Sequence, residues 1–385
     1  MLEFLAFLLP IAAASGWYAA KRHYTQKYLF GHARPMTQAY CRGLNYLLSE
    51  KTDKAINVFA HILEMDRETM ETHIALGNLF RRQGEVDKAI EIHSKLLDES
   101  GLNEAQRAHA LYELGVDYMG AGLLDRAETI FENLSENEAH RKSSLQRLLQ
   151  IYQQEKDWHK AMACARKLFR IARAPRGESI AQFLCELAEE AVARLRDEEA
   201  RDYLDRALRE DPACVRASLI KARLELAGSD PAAALRTLRN VEIQNPEYLP
   251  EILRPVAVCY GYLGNDRALA EYLEYLYRRY GLAGAAADLA GRIRDASGTS
   301  AAVDYLLGVL EAKPSLRCLG HMVQLLATAE GQQRALQADL NRLSSVAGRL
   351  VAEIPRYRCF ECGFSGAELH WRCPSCQYWG SIRPA

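Results

Sequence analysis

From Phe4 to Ala20 the chain reads FLAFLLPIAAASGWYAA, 17 residues without a charge. Beyond it charged and apolar positions mix, and the mixture has a fixed period. Alanines recur at Ala55, Ala89, Ala127, Ala161, Ala200, Ala234, Ala268 and Ala302, with successive gaps of 34, 38, 34, 39, 34, 34 and 34 residues. The two long gaps are insertions between units, DESGLNEAQR in the first and IARAPRGES in the second. A period of 34 is the tetratricopeptide period, one pair of antiparallel helices per repeat.

The neighbours of each alanine fit that reading. A small residue is wanted twelve positions before it, and Gly43, Gly77 and Gly115 stand there. A large one is wanted four after it, met by Phe59, Phe131, Leu204, Leu238, Tyr272 and Leu306. Pro212, Pro246 and Pro314 fall twelve after it, where proline ends the second helix. The cause is packing: two helices that cross closely need Gly or Ala at the contact, with large residues in the grooves beside it. The last units are looser. Pro255 replaces an expected Leu, residues 281–291 are rich in small residues, and residues 316–350 read as two more helices, a degenerate unit or a cap. The first helix of each unit lines a concave groove in such an array. Asn78, Arg81, Tyr112, Met119, Gln146 and Gln150 are its candidate lining residues.

The uncharged N-terminal run is about 25 Å long as a helix, a little short of the ~30 Å hydrocarbon core. Leu2 on one side and snorkelling Lys21 and Arg22 on the other extend it. Trp17 and Tyr18 sit where an interfacial aromatic belt would be, and Pro10 is tolerated better in a membrane helix than in a soluble one. Only Met-Leu-Glu precedes the run, whereas Lys21, Arg22, His23 and Lys27 follow it. Positive flanks stay inside, so residues 1–22 are expected to be a single-pass anchor with the rest of the chain in the cytoplasm.

Charge narrows the partners. Lys and Arg total 49 against 50 Asp and Glu, which gives no general attraction for nucleic acid. Of ten cysteines, Cys41, Cys164, Cys185, Cys214, Cys259 and Cys318 are scattered singly, as small buried apolar side chains in a reducing compartment would be. The other four form two C-x-x-C pairs, Cys359 with Cys362 and Cys373 with Cys376, ten residues apart. Four thiolates suit one tetrahedral ion, zinc or iron, and leave no open position for metal-centred hydrolysis. A tail of this length builds little core, so the ion would staple it. Phe360, Phe364, Trp371, Tyr378 and Trp379 are too many aromatics for the knuckle to bury alone, so some are expected to dock on the repeats or on a partner. Residues 351–385 carry four Arg against three Glu, a poor nucleic-acid surface. No nucleophile elbow, phosphate loop, H-E-x-x-H or dinucleotide fingerprint occurs, so an enzyme is not expected.

The expected organisation is an all-α chain: anchor 1–22, juxtamembrane linker 23–34, about eight repeats over 35–315, terminal helices 316–352 and a metal-binding domain over 353–385. These parts in this order, closed by YRCFECGF and WRCPSCQYWGSI, resemble the lipopolysaccharide assembly protein B family, with its rubredoxin-type tail. The resemblance covers essentially the whole chain and carries the family's metal ligands onto Cys359, Cys362, Cys373 and Cys376. It implies the inner membrane of a Gram-negative bacterium. It also implies an adaptor that restrains lipopolysaccharide synthesis by helping the membrane protease FtsH degrade the deacetylase LpxC, with links to lipopolysaccharide assembly components. A homodimer is compatible with it. The rival readings are a static scaffold for lipopolysaccharide synthesis and assembly enzymes, and a redox protein with a single iron. The short gap between the cysteine pairs counts against the last.

Overall fold

The computed structural model describes residues 42–43, 45–46, 52–65, 70–98, 101–172, 177–328 and 334–385. The expected anchor and linker, residues 1–34, lie outside these, as does Cys41. Among the described residues no helix is long and apolar enough to cross a membrane. The chain divides into two compact units, Met1–Lys156 and Asp157–Ala385.

In the first unit the helices are α1 (Thr52–Met65), α2 (Met70–Arg82), α3 (Val86–Asp98), α4 (Glu104–Gly120), α5 (Leu124–Leu134) and α6 (Arg141–Glu155), each packed on the next. The glycines and large residues of the repeat meet as the packing argument requires. A Cβ on Gly43 would lie 2.7 Å from Phe59, and one on Gly115 would lie 2.8 Å from Phe131. Neither space admits a methyl group, which fixes glycine there. In the second repeat the residue against Gly77 is His93, a polar ring at an apolar position. The first insertion forms a capping box at the start of α4: Gln106 N–H donates to Asn103 Oδ1 (2.8 Å) and Asn103 N–H donates to Gln106 Oε1 (3.0 Å).

The second unit continues the pairs with α7 (Trp158–Ala172), α8 (Gly177–Ala193), α9 (Asp197–Glu210), α10 (Val215–Ala227) and α11 (Pro231–Arg239). A short helix α12 (Val241–Gln244) and a 3-10 turn (Pro246–Tyr248) lead into α13 (Leu249–Tyr262), which carries Pro255 inside it. Then follow α14 (Asp266–Tyr280), α15 (Ala283–Ser297), α16 (Thr299–Ala312), α17 (Leu316–Ala327) and α18 (Arg334–Glu353). The chain ends in a three-stranded antiparallel sheet ordered β2-β1-β3, with β1 (Tyr357–Cys359), β2 (Ser365–Gly366) and β3 (Ile382–Pro384).

Seven of the eight register alanines are fully buried, at 0% exposure. The exception is Ala268, which is half-buried while its neighbour Leu269 is at 0%. There α14 is turned slightly, so that Leu269, Leu273 and Leu276 are buried along with the register residue Tyr272. A second regularity is conformational. The turn between the two helices of a repeat holds a left-handed residue: Gly84, Gly122, Lys156, Leu195, Ser229, Gly264 and Gly298 all have positive φ. This conformation reverses the chain in few residues and favours glycine, yet three repeats use a side chain.

Candidate metal centre

The knuckle is built from two turns of the same design. Cys359 N–H donates to Phe364 O (2.7 Å) and Gly363 N–H to Cys359 O (3.0 Å). In the second turn Cys373 N–H donates to Tyr378 O (2.9 Å) and Gln377 N–H to Cys373 O (2.9 Å). Gly363 (φ 77°) and Gln377 (φ 63°) occupy matching left-handed positions after each pair. The Arg372–Trp379 bridge and the 359–382 register of β1 and β3 bring the turns face to face.

Their four sulfurs converge. All Sγ atoms lie within 4.8 Å of one another. Cys359–Cys376 and Cys362–Cys373 are each 3.7 Å apart. A tetrahedral ion with metal–sulfur bonds of about 2.3 Å needs sulfur–sulfur edges of about 3.8 Å, so the cage fits a single four-coordinate ion. Cys359 and Cys373 are buried, Cys376 is half-buried and Cys362 is exposed. Proton affinity is unevenly shared. At Cys359 burial opposes ionisation, but the Ser381 hydroxyl and the N–H groups of Cys362 and Glu361 outweigh it and bring the thiol down to about 6. The Phe364 N–H likewise lowers Cys362. At Cys376 the Tyr378 N–H favours the thiolate, yet burial and the neighbouring thiols prevail and push it up to about 12. Four crowded thiolates repel one another, and a bound cation would remove that repulsion. His370 is not in the group; its ring lies against Phe364 at 6.4 Å.

The aromatics divide between two surfaces. Trp379 inserts into the second unit, edge-on to Trp158 (6.2 Å) and Phe183 (5.8 Å), between the guanidinium groups of Arg216 (5.9 Å) and Arg372 (5.8 Å). Trp371 stacks on Tyr248 (5.6 Å). The Tyr248 hydroxyl donates to Ile382 O (2.8 Å), and burial pushes that phenol up to about 12, so it stays a donor. Tyr357 donates to Glu251 Oε1 (2.7 Å) and Arg383 pairs with Glu247 (2.6 Å). Phe360 and Tyr378 stay outside, 66% and 62% exposed. The docking residues come from α7 (Trp158), α8 (Phe183), α10 (Arg216), the 3-10 turn (Glu247 and Tyr248) and α13 (Glu251). The knuckle therefore rests on side chains from successive repeats of the second unit.

The groove residues expected from sequence all fall in the first unit, and several of them are engaged by other side chains. Arg81 is not a free cation facing a ligand. It pairs with Glu113 (2.7 Å) and with buried Asp117 (2.7 Å), donates to Asn78 Oδ1, and is held above its ordinary range by these carboxylates despite burial. Asp117 also meets His93 Nδ1 at 2.5 Å. Arg81 thus satisfies carboxylates of the next repeat. Tyr112 stacks on His140 (5.4 Å) and accepts from Arg147 Nε (3.4 Å). Met119 is half-buried, while Gln146 and Gln150 are exposed. The scattered cysteines are buried as expected where described, with one correction: Cys185 and Cys214 are not single in space, their sulfurs being 3.9 Å apart. A usable signal existed for these pairs. Their separations in sequence, 29 to 36 residues, are close to one repeat, and equivalent positions in successive repeats are neighbours.

Comparison with known proteins agrees with this geometry. Residues 357–384 match a family model described as a rubredoxin metal binding domain. Residues 72–108 and 185–248 match tetratricopeptide repeat models. Lipopolysaccharide assembly protein B of Escherichia coli strain K12 is 37% identical over 384 residues, covering 100% of this chain and 98% of that protein. The protein of the same name from Haemophilus influenzae is 35% identical over 395 residues, with the same coverage of each chain. With a cysteine cage at its end, helix pairs before it and this identity along its whole length, the chain belongs to the lipopolysaccharide assembly protein B family.

Proposed function

We propose that this protein is a membrane-anchored adaptor of lipopolysaccharide assembly, without catalysis of its own, that promotes degradation of the deacetylase LpxC by the membrane protease FtsH. Residues 1–22 would be the anchor in the bacterial inner membrane and 23–34 the linker. Repeats over 35–315 and helices over 316–352 would form the cytoplasmic body, with 353–385 held by zinc or iron on Cys359, Cys362, Cys373 and Cys376. Family membership along the whole chain supports the lipopolysaccharide role.

The observation that carries the adaptor reading is the docked knuckle. Its inner aromatics, Trp371 and Trp379, are committed to the repeats, while Phe360 and Tyr378 face outward beside them. A metal-stapled turn on a rigid array presents aromatic anchors at low entropic cost, which is what a protein-binding surface requires. An anchor adds local concentration, because a tethered adaptor meets a membrane protease in an effectively intramolecular encounter.

The test is the half-life of LpxC after translation is blocked, in cells depleted of this protein and then supplied with wild-type or Cys373→Ser/Cys376→Ser protein. Several-fold lengthening on depletion, reversed by the wild type and not by the double variant, is the expected result. An unchanged half-life removes the protease mechanism and leaves the static assembly scaffold.

A further inference from the structure

We propose that Cys185 and Cys214 form a reversible redox pair, closed to a disulfide by peroxides, in the floor on which the metal knuckle rests.

Cys185 lies in α8 and Cys214 at the N-cap of α10, so a bond between them would tie the first helices of successive repeats. Their sulfurs are 3.9 Å apart, and a disulfide needs them at about 2.0 Å, so each must move by about 1 Å. Both cysteines are buried, 0% and 2% exposed, and peroxide reaches them only through a local opening, but the electrostatics around Cys214 favour a thiolate. Cys214 stands at the positive end of a helix, beside the buried guanidinium of Arg216, with Gln182 Nε2 3.9 Å from its sulfur. The Cys185 thiol and the Ala217 N–H hold Cys214 below its ordinary value against burial, whereas Cys185 is pushed well above its own. The helix N-terminus, the Arg216 guanidinium and Gln182 Nε2 all favour a thiolate at Cys214, which makes it the nucleophile and Cys185 the resolving thiol. Cys259 and Cys318 lack this arrangement. Burial, the largest cause, raises both Cys259 and Cys318.

The chemistry balances with hydrogen peroxide as oxidant. The Cys214 thiolate attacks one peroxide oxygen, forming a sulfenic acid and releasing hydroxide, which takes up the proton that Cys214 gave up. The Cys185 thiol then attacks the sulfenic sulfur, an S–S bond forms, and the hydroxyl leaves as water with the Cys185 proton. Two thiols are oxidised and one peroxide is reduced to two waters. The pair connects to the knuckle through Arg216. That guanidinium is 3.4 Å from Gln182 Oε1, binds Glu186 (2.9 Å) and Glu189 (2.6 Å), and lies against Trp379.

The test uses the full-length, metal-loaded protein, treated with hydrogen peroxide, denatured in an alkylating agent and mapped by peptide mass spectrometry, with metal retention measured in parallel. The expected result is a peptide linking Cys185 to Cys214, lost on reduction, while Cys164, Cys259 and Cys318 are alkylated and the metal is retained. Cys185→Ser should then leave a sulfenic acid on Cys214 that dimedone traps. Alkylation of Cys185 and Cys214 as complete as that of Cys259 and Cys318 overturns the proposal. Pairing seen only after the metal has been released overturns it equally, because the site would then open only when the knuckle is undone.

Discussion

Leu195 has φ 58° and 89% of its surface exposed, at the turn position that four other repeats give to glycine. A left-handed backbone costs a side-chain-bearing residue about 1–2 kcal/mol, and nothing is recovered here by burial. Leu195→Gly is therefore expected to stabilise the protein by about 1 kcal/mol, partly offset by glycine's greater chain entropy, as read from urea unfolding. His140 makes a prediction about protons. Burial, followed by the charge of stacked His109, lowers it below its ordinary value against the pull of Glu113. A group depressed on folding contributes stability that is full above about pH 6.5 and lost as pH falls through the folded value. Proton NMR should place the His140 midpoint below that of an exposed histidine. His109→Ala should raise it only part of the way, since burial is the larger cause. At this scale the sequence was legible where one residue type recurs. Gly43, Gly77 and Gly115 announced close helix contacts, and the four knuckle cysteines announced their cage. The ion pairs of Arg81 were not legible, because its partners Glu113 and Asp117 lie one repeat onward, where a residue-by-residue reading does not look.

Between elements, Trp379 is the main connection of the knuckle to the helices. It touches Trp158 of α7, Phe183 of α8 and Arg216 of α10. Trp379→Ala opens a cavity there and is expected to cost about 3–5 kcal/mol. Because Trp379 supplies no sulfur to the cage, the variant should still bind one metal ion while α8 and α10 gain faster amide exchange. Loss of metal along with the exchange change would mean that the cage depends on docking. The helices were readable from periodicity because each repeat packs on its sequence neighbours. The docking was not, since Tyr248 meets Ile382 across 134 residues and Tyr357 meets Glu251 across 106, and no period links them. The excess of aromatics was the one hint, and it did not say which would turn inward.

For the molecule as a whole, the cage is the staple of a terminal sheet of three short strands whose own buried apolar residues are few: Cys359, Cys373 and Ile382. Withdrawing the metal with a chelator should therefore raise amide exchange along β1 and β3 first, then in α8, α10 and α13, with zinc restoring protection. Exchange confined to the strands would show that the helices hold their places without the knuckle. The rotation of α14 around Ala268 belongs to this scale too. It follows a repeat opened by an extra short helix and a 3-10 turn, α12 and Pro246–Tyr248, and carrying Pro255 inside α13, a departure that only the surrounding packing makes intelligible.

The contact between Tyr248 and Ile382 has a consequence in time. A ribosome adds about 5–20 residues per second, so the 134 residues between them take about 7–27 s to make. Throughout that interval Tyr248 and Phe183 lack the knuckle that will cover them, because its residues are made later. A nascent chain that stops early, or one that emerges where metal is scarce, keeps an open aromatic floor of the kind that chaperones and proteases recognise. Synthesis of the knuckle and its folding around an ion thus bear on the same small surface.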